Sequence, residues 1–232
     1  MARIWDLTED TSCYEILVDR RSDFRHRFGG EPSHSGIIPA RGKTPIHLVM
    51  TFDLSDRRVP FAQPGVSELP LFYSFQYDGS GLTYRVVDDD AVEIVQQPSR
   101  DFEDDFPYEG YPPFFPQLPI SLSERIGIDQ YFEDDFLQQQ WREELERATT
   151  GAWVLDDVDR ISLVEGLMQG PPRSVCPAPG CDKQPMKLLT VLRGDLIAGF
   201  HFWSDEEFGP WVDITYEYCP NCFVIHTEQQ CD

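Results

Sequence analysis

Trp211-Val212-Asp213-Ile214-Thr215-Tyr216-Glu217-Tyr218, then Cys219-Pro220-Asn221-Cys222, then Phe223-Val224-Ile225-His226-Thr227 is the stretch that decides how this chain is read. The first eight residues alternate strictly, with Val212, Ile214, Tyr216 and Tyr218 on one side, the two-residue period of a strand. The last five are again rich in branched and aromatic side chains. Between the two runs, two cysteines sit at a spacing that a tight turn brings to one point. The segment predicts a hairpin whose tip carries two thiols.

A second, wider pair, Cys176-Pro177-Ala178-Pro179-Gly180-Cys181, precedes the strand pattern Lys187-Leu188-Leu189-Thr190-Val191-Leu192. Zinc takes four ligands at tetrahedral corners, and two cysteine pairs on turns supply them without distorting the flanking strands. The 37 residues between Cys181 and Cys219 are enough to hold the strands that bring the two tips together. The expectation is one structural zinc ion held by Cys176, Cys181, Cys219 and Cys222 in a C-terminal ribbon-like element. A closed four-thiolate site leaves no position for water and is not itself catalytic. The rival is a redox pair at Cys219 and Cys222. Such a pair normally opens a helix, which lowers the thiol pKa, whereas strands flank this one. His201 and His226 could each replace a cysteine as ligand, but four cysteines already suffice. Cys13 and Cys231 stand apart and read as ordinary thiols.

Outward from this element, strand patterns recur at Cys13–Val18, Ile46–Phe52, Leu71–Tyr77, Leu82–Val87 and Ala91–Val95. Asp78-Gly79-Ser80-Gly81 reads as a hairpin turn joining the third and fourth of these. Phe28-Gly29-Gly30-Glu31-Pro32-Ser33 is a turn, and it lacks the lysine and following helix of a phosphate-binding loop. The basic residues Arg20, Arg21, Arg25, His26 and Arg27 read as internal partners for carboxylates. Residues 98–120 mix prolines, aromatics and acids and predict a loop packed on the surface and joining two halves. A helix is expected over Ile128–Ala148, capped by Asp129, with Phe132, Phe136, Trp141 and Leu145 broadly on one face. Residues 152–169 are ambiguous between helix and strand. The expected class is α+β, strand-rich, with two pseudo-repeated halves at 1–120 and 121–232 forming one compact unit.

The chain has 232 residues and a formal charge of −22. That length can bury a substantial core. The charge repels nucleic acid and anionic membranes and favours basic partners. There is no apolar run of the roughly 20 residues that span a bilayer, and no secretory leader is read at Met1–Asp6. With paired rather than disulfide-type cysteines, a cytoplasmic location is expected.

The two ends of the chain echo each other. Gly29-Gly30-Glu31-Pro32, Thr44-Pro45-Ile46-His47-Leu48-Val49 and Asp53-Leu54 answer to Glu165-Gly166-Leu167-Met168-Gln169, Gln184-Pro185-Met186-Lys187-Leu188-Leu189 and Asp195-Leu196. This arrangement resembles the YwqG-like family of bacterial proteins. It is also distantly similar to the zinc-containing ribosome-assembly proteins related to programmed cell death protein two. The resemblance rests on Phe28–Pro32, Leu69–Phe75, Cys176–Cys181 and Met186–Leu189. The second Gly-Gly is absent here and the first cysteine pair is two residues wider. The resemblance implies a strand-rich α+β fold with duplicated halves and a protein-binding role, as toxin-immunity protein or as escort of a basic ribosomal client.

A nucleophilic hydrolase would need Ser or Cys beside His and an acid, and no Gly-x-Ser-x-Gly elbow occurs. Ser33-His34-Ser35 lies in a turn. The acidic clusters Glu103-Asp104-Asp105 and Glu133-Asp134-Asp135 lack a calcium-loop pattern and read as solvated faces. The expected function is a zinc-stabilised acidic protein-interaction module, with Phe102, Phe106, Tyr111, Phe114 and Phe115 as aromatic anchors for a basic partner. The alternative is a hydrolase whose site combines acids with His34 or His47.

Overall fold

The computed structural model describes residues 12–40, 42–59, 61–75, 77, 82–96, 111–126, 175–182, 186–192, 202 and 212–231. They form ten strands: β1 Ser12–Val18, β2 Arg27–Phe28, β3 His47–Asp53, β4 Glu68–Tyr73, β5 Leu82–Asp88, β6 Ala91–Gln96, β7 Leu118–Ile126, β8 Lys187–Leu192, β9 Val212–Tyr218 and β10 Val224–Cys231. Sheet one has the order β1-β7-β2-β3-β4 and sheet two the order β6-β5-β10-β9-β8. Every ladder is antiparallel.

The expected α+β class is therefore corrected: the described residues contain no helix and are all-β. The reason is in the pattern. The strands pair antiparallel with their neighbours, a geometry that needs no crossover helices. The helix expected over 128–148 and the ambiguous segment 152–169 lie outside the described residues. Sheet one takes β1 to β4 and β7, and sheet two takes β5, β6 and β8 to β10.

A second correction concerns the hairpin expected across residues 78–81. β4 pairs with β3 in sheet one, whereas β5 pairs with β6 and β10 in sheet two. A tyrosine explains how β4 does without β5 as a ladder partner. The buried Tyr84 hydroxyl of β5 accepts the Phe72 N–H at 3.0 Å and donates to the Pro70 carbonyl at 2.9 Å. One side chain from the opposite sheet thus satisfies two backbone groups of β4 that a paired strand would otherwise serve. Burial raises the Tyr84 pKa well above the usual phenol range, so the donor stays protonated.

The echoing segments are alike only locally. β3 and β8 each carry a bulge at their second turn of pairing, between Leu48 and Met50 and between Leu188 and Thr190. Beyond it they part: β8, β9 and β10 remain in one sheet, while β3 and β4 separate from β5. The echoing segments thus share a bulged two-strand pairing, placed in different sheets.

The core lies between the sheets and is strongly aromatic. Phe28, Phe52, Phe61, Phe72, Tyr73 and Phe75 are all buried. Phe28 stacks on Phe115 at 5.8 Å and Phe75 on Phe202 at 5.3 Å, offset geometries worth about 0.5–1.5 kcal/mol each beyond burial. The Gly29-Gly30 turn exists for close approach. The Gly29 N–H donates to Val49 at 2.8 Å and the Gly30 N–H to Phe115 at 3.0 Å. Gly29 has φ +61°, and a Cβ there would overlap the Pro116 carbonyl. Of the loop expected over 98–120, residues 98–110 lie outside the described residues, 111–117 pack down and bury Tyr111 and Phe115, and 118–120 are corrected to the start of β7.

Candidate metal centre

The two cysteine pairs reach one point because the turns that carry them are closed by backbone hydrogen bonds. At the β9–β10 hairpin, the Cys219 N–H donates to Val224 at 2.8 Å and the Phe223 N–H to Cys219 at 2.9 Å. Phe223 adopts φ +57°, a left-handed conformation unusual for an aromatic residue. Its ring packs edge-on against buried Phe61 at 5.8 Å, and Phe61 also meets Tyr218 at 5.7 Å. Packing on both sides of the turn holds the strained residue in place. In the other pair the Cys181 N–H donates to Ala178 at 3.1 Å, and Gly180 at φ +81° makes the reversal.

The four sulfurs of Cys176, Cys181, Cys219 and Cys222 all lie within 4.8 Å of one another. Cys176 Sγ is 3.3 Å from Cys222 Sγ, and Cys181 Sγ is 3.7 Å from Cys219 Sγ. A tetrahedron with metal–sulfur bonds of about 2.3 Å has sulfur–sulfur edges of about 3.8 Å, so the observed spacing brackets the ideal. All four cysteines are free thiols. Cys176 and Cys219 are buried, and Cys181 and Cys222 are half-buried. Ala178, Met186 and Val224 form the apolar floor, with Val95 of β6 packed against it. Burial pushes the Cys176 thiol far up, the Ala178 amide opposes this, and the three neighbouring sulfurs push it further. A cation at the centre reverses that balance, because it stabilises the thiolates directly. The cluster can hold a metal ion that prefers sulfur and tetrahedral geometry.

Strands β9 and β10 flank Cys219 and Cys222. That removes the helix N-terminus on which a redox reading of this pair would depend. His226 does not approach the sulfurs. Its Nδ1 pairs with the Thr83 hydroxyl at 2.8 Å and its Nε2 with Glu228 at 3.2 Å. His201 lies outside the described residues. This hydroxyl–imidazole–carboxylate row joins residues 143 positions apart, so no local pattern announces it. Thr83 is completely buried, which denies a substrate access to its hydroxyl.

The other histidines are engaged in the fold. His47 is buried, pairs through Nε2 with the Pro112 carbonyl at 2.8 Å, and is surrounded by Phe75, Tyr111 and Phe115. Burial lowers its pKa, opposed by that one hydrogen bond. His34 is buried edge-on against Phe72 at 5.3 Å, and its pKa is lowered by burial and then by Arg27. Neither forms a hydrogen bond to a carboxylate among the described residues. His26, which sequence reasoning took only as part of a basic stretch, pairs with buried Asp56 at 2.8 Å. Its Nδ1 accepts the Asp53 N–H at 3.0 Å, so the Nε2–H donates to Asp56 and no ring nitrogen is left for a substrate. The arginines beside it behave as expected: Arg27 meets Glu68 at 2.7 Å, and Arg25 lies 3.6 Å from Asp53.

Of the expected aromatic anchors, Tyr111 and Phe115 are core residues and Phe114 is exposed. Phe102, Phe106 and both acidic clusters lie outside the described residues. No helix among the described residues is long and apolar enough to cross a membrane. No protein-family model, curated protein or solved structure matches the chain.

Proposed function

We propose that this chain is a zinc-stabilised acidic protein-interaction module whose partner is a basic protein. The observation that carries the zinc assignment is the convergence of four thiols from two turns at tetrahedral spacing. An all-sulfur tetrahedral site suits zinc, whose filled d shell imposes no other geometry. Bound zinc would cross-link residues 175–182 to the β9–β10 turn. Cys176 and Cys219 would anchor the ion from the buried side, and Cys181 and Cys222 would close it toward solvent. Four thiolates leave no open coordination position, so the role is structural. Free thiols suit a reducing, cytoplasmic setting.

The charge of −22 supports a basic partner, because it accelerates encounter with positive surfaces and disfavours nucleic acid. Membership of the YwqG-like family, and with it toxin immunity or escort of a ribosomal client, belongs to the same proposal. The hydrolase reading, which would use His34 or His47, loses support because both are buried against core aromatic rings and neither bonds a carboxylate among the described residues.

Two measurements test the proposal. Elemental analysis of the purified protein should find one zinc per chain, lost in Cys176→Ser and Cys219→Ser. Binding to poly-L-lysine should weaken steeply as salt rises from about 0.01 M to about 1 M and the Debye length shortens from about 30 Å to about 3 Å. Metal-free wild type with intact thiols refutes the zinc assignment, and salt-independent affinity refutes the acidic docking surface.

A further inference from the structure

Sulfurs of the two turns approach one another closely. Cys176 lies 3.3 Å from Cys222 and Cys181 lies 3.7 Å from Cys219. Each of these pairs combines one half-buried sulfur, Cys222 or Cys181, with one buried sulfur, Cys176 or Cys219. A partly exposed cysteine poised next to a resolving thiol is an arrangement found at redox-sensing cysteines.

We infer that the four-cysteine centre is a peroxide-responsive site that exchanges its metal cross-link for disulfides between the same two chain segments. The inference rests on the zinc reading above and concerns the regulation of that site. The chemistry is balanced by hydrogen peroxide as oxidant. The Cys222 thiolate attacks one peroxide oxygen, the O–O bond breaks, and Cys222 becomes a sulfenic acid as hydroxide leaves. Cys176 sulfur then attacks the Cys222 sulfur, forming the S–S bond and expelling the sulfenic oxygen as water once protonated. Two thiolates, one peroxide and two protons thus give one disulfide and two waters. Zinc, left with two ligands, dissociates. Cys181 and Cys219 repeat the step with a second peroxide.

The two cross-turn approaches are within reach of this pairing. A disulfide bond is about 2.05 Å, so Cys176 and Cys222 need to approach by about 1.3 Å from their 3.3 Å separation, or by about 1.8 Å from the roughly 3.8 Å edge of a zinc-held tetrahedron. Both new bonds connect 175–182 to the β9–β10 turn, so the segment held by the metal stays tethered after the metal has gone. Bonds within each turn would instead release it.

The test uses the zinc-loaded full chain carrying Cys13→Ser and Cys231→Ser, which leaves only the four site cysteines. Hydrogen peroxide is added in increments, released zinc is read with a chromogenic chelator, and remaining thiols are alkylated before non-reducing digestion with trypsin. Cleavage after Arg173, Lys183 and Arg193 separates Cys176 and Cys181 from Cys219 and Cys222. The expected result is loss of one zinc per chain and a covalently joined peptide pair, with fragmentation locating the first bond at Cys176–Cys222. Zinc retained under peroxide, or zinc released with the two peptides separate and each lighter by two hydrogens, overturns the inference. Absence of zinc before peroxide is added overturns the zinc reading itself, a distinct failure.

Discussion

Removing the Asp56 carboxylate should destabilise the protein by about 3 kcal/mol, the low end of the range for breaking a buried, hydrogen-bonded ion pair. Asp56 is almost fully buried, at 2% exposure. It accepts Arg58 Nε at 2.9 Å, Arg58 Nη2 at 2.6 Å, the Arg58 N–H at 3.0 Å and the His26 Nε2–H at 2.8 Å. Arg58 in turn donates from Nη1 to Leu122 at 2.7 Å and lies over the rings of Tyr14 and Phe24. Asp56→Ala would leave a guanidinium and an imidazole N–H facing an apolar void. The low end applies because the Arg58 side chain keeps 28% exposure and can recover some hydration. At about 2–4 °C per kcal/mol for a chain of this size, the melting temperature should fall by roughly 6–12 °C.

The assay is urea unfolding at fixed, saturating metal, with the slope against urea required to stay constant. Glu93→Ala is the control. Its pair with Arg85 is equally short, at 2.7 Å, but Glu93 is 58% exposed, so the change should stay within about 1 kcal/mol. Asp56→Ala with Arg58→Met removes both charges and should recover part of the loss. If Asp56→Ala costs no more than Glu93→Ala, or if the double variant is fully additive, the buried-pair reasoning is wrong.

Gly29→Ala should cost at least about 1–2 kcal/mol from its left-handed conformation alone, and more from overlap with the Pro116 carbonyl; an unchanged urea midpoint would contradict this. Stability should fall as pH drops below about 4, the usual range of free carboxyls, because Asp53 and Asp56 are both held below it. Burial raises each, but the Arg25 amide and Ser55 outweigh it at Asp53, and Arg58 and His26 outweigh it at Asp56. A depressed folded pKa gives stability that is present above the unfolded value and lost as pH falls through the folded one; Asp53→Asn should flatten the acid limb of a stability–pH curve. Chelation of the metal should speed hydrogen exchange at the Cys181, Cys219 and Phe223 amides, which close the two turns, while the Phe72 amide held by Tyr84 stays protected. Equal rates with and without chelator would remove the metal from its proposed cross-linking role.

The cysteine centre was legible because its information is local: two short spacings and two flanking alternations, each readable within a dozen residues. Strands β1, β3 to β6 and β8 to β10 were legible for the same reason. β7 was not, because Pro112, Pro113, Pro116 and Pro119 marked its neighbourhood as loop, although Leu118, Ile120 and Leu122 alternate as a strand should. Proline at the second residue of the strand is tolerated there, where β7 pairs with the two-residue β2.

What no local pattern carries is the assignment of strands to sheets. Leu71–Tyr77, a glycine-bearing turn and Leu82–Val87 meet every requirement of a hairpin, yet the chain passes from one sheet to the other between them. A β4–β5 ladder would also have satisfied the Phe72 N–H and Pro70 carbonyl. The Tyr84 hydroxyl does so from across the core while its ring stays buried against Phe72. That frees the edge of β5 to pair with β10, and β10 is the strand that carries the cysteine hairpin. The choice that defeats the sequence reading is therefore the same one that brings β6 and its Val95 against the cysteine cluster. Tyr84→Phe separates the two effects: it keeps the ring and deletes both hydrogen bonds, leaving two buried backbone groups of β4 unsatisfied at about 1–3 kcal/mol for each. If sheet assignment depends on that hydroxyl, the variant should lose stability by this amount and loosen the cysteine centre together with β4. If the centre keeps its hydrogen-exchange protection while β4 loses its own, the β5–β10 ladder alone is sufficient to hold the hairpin.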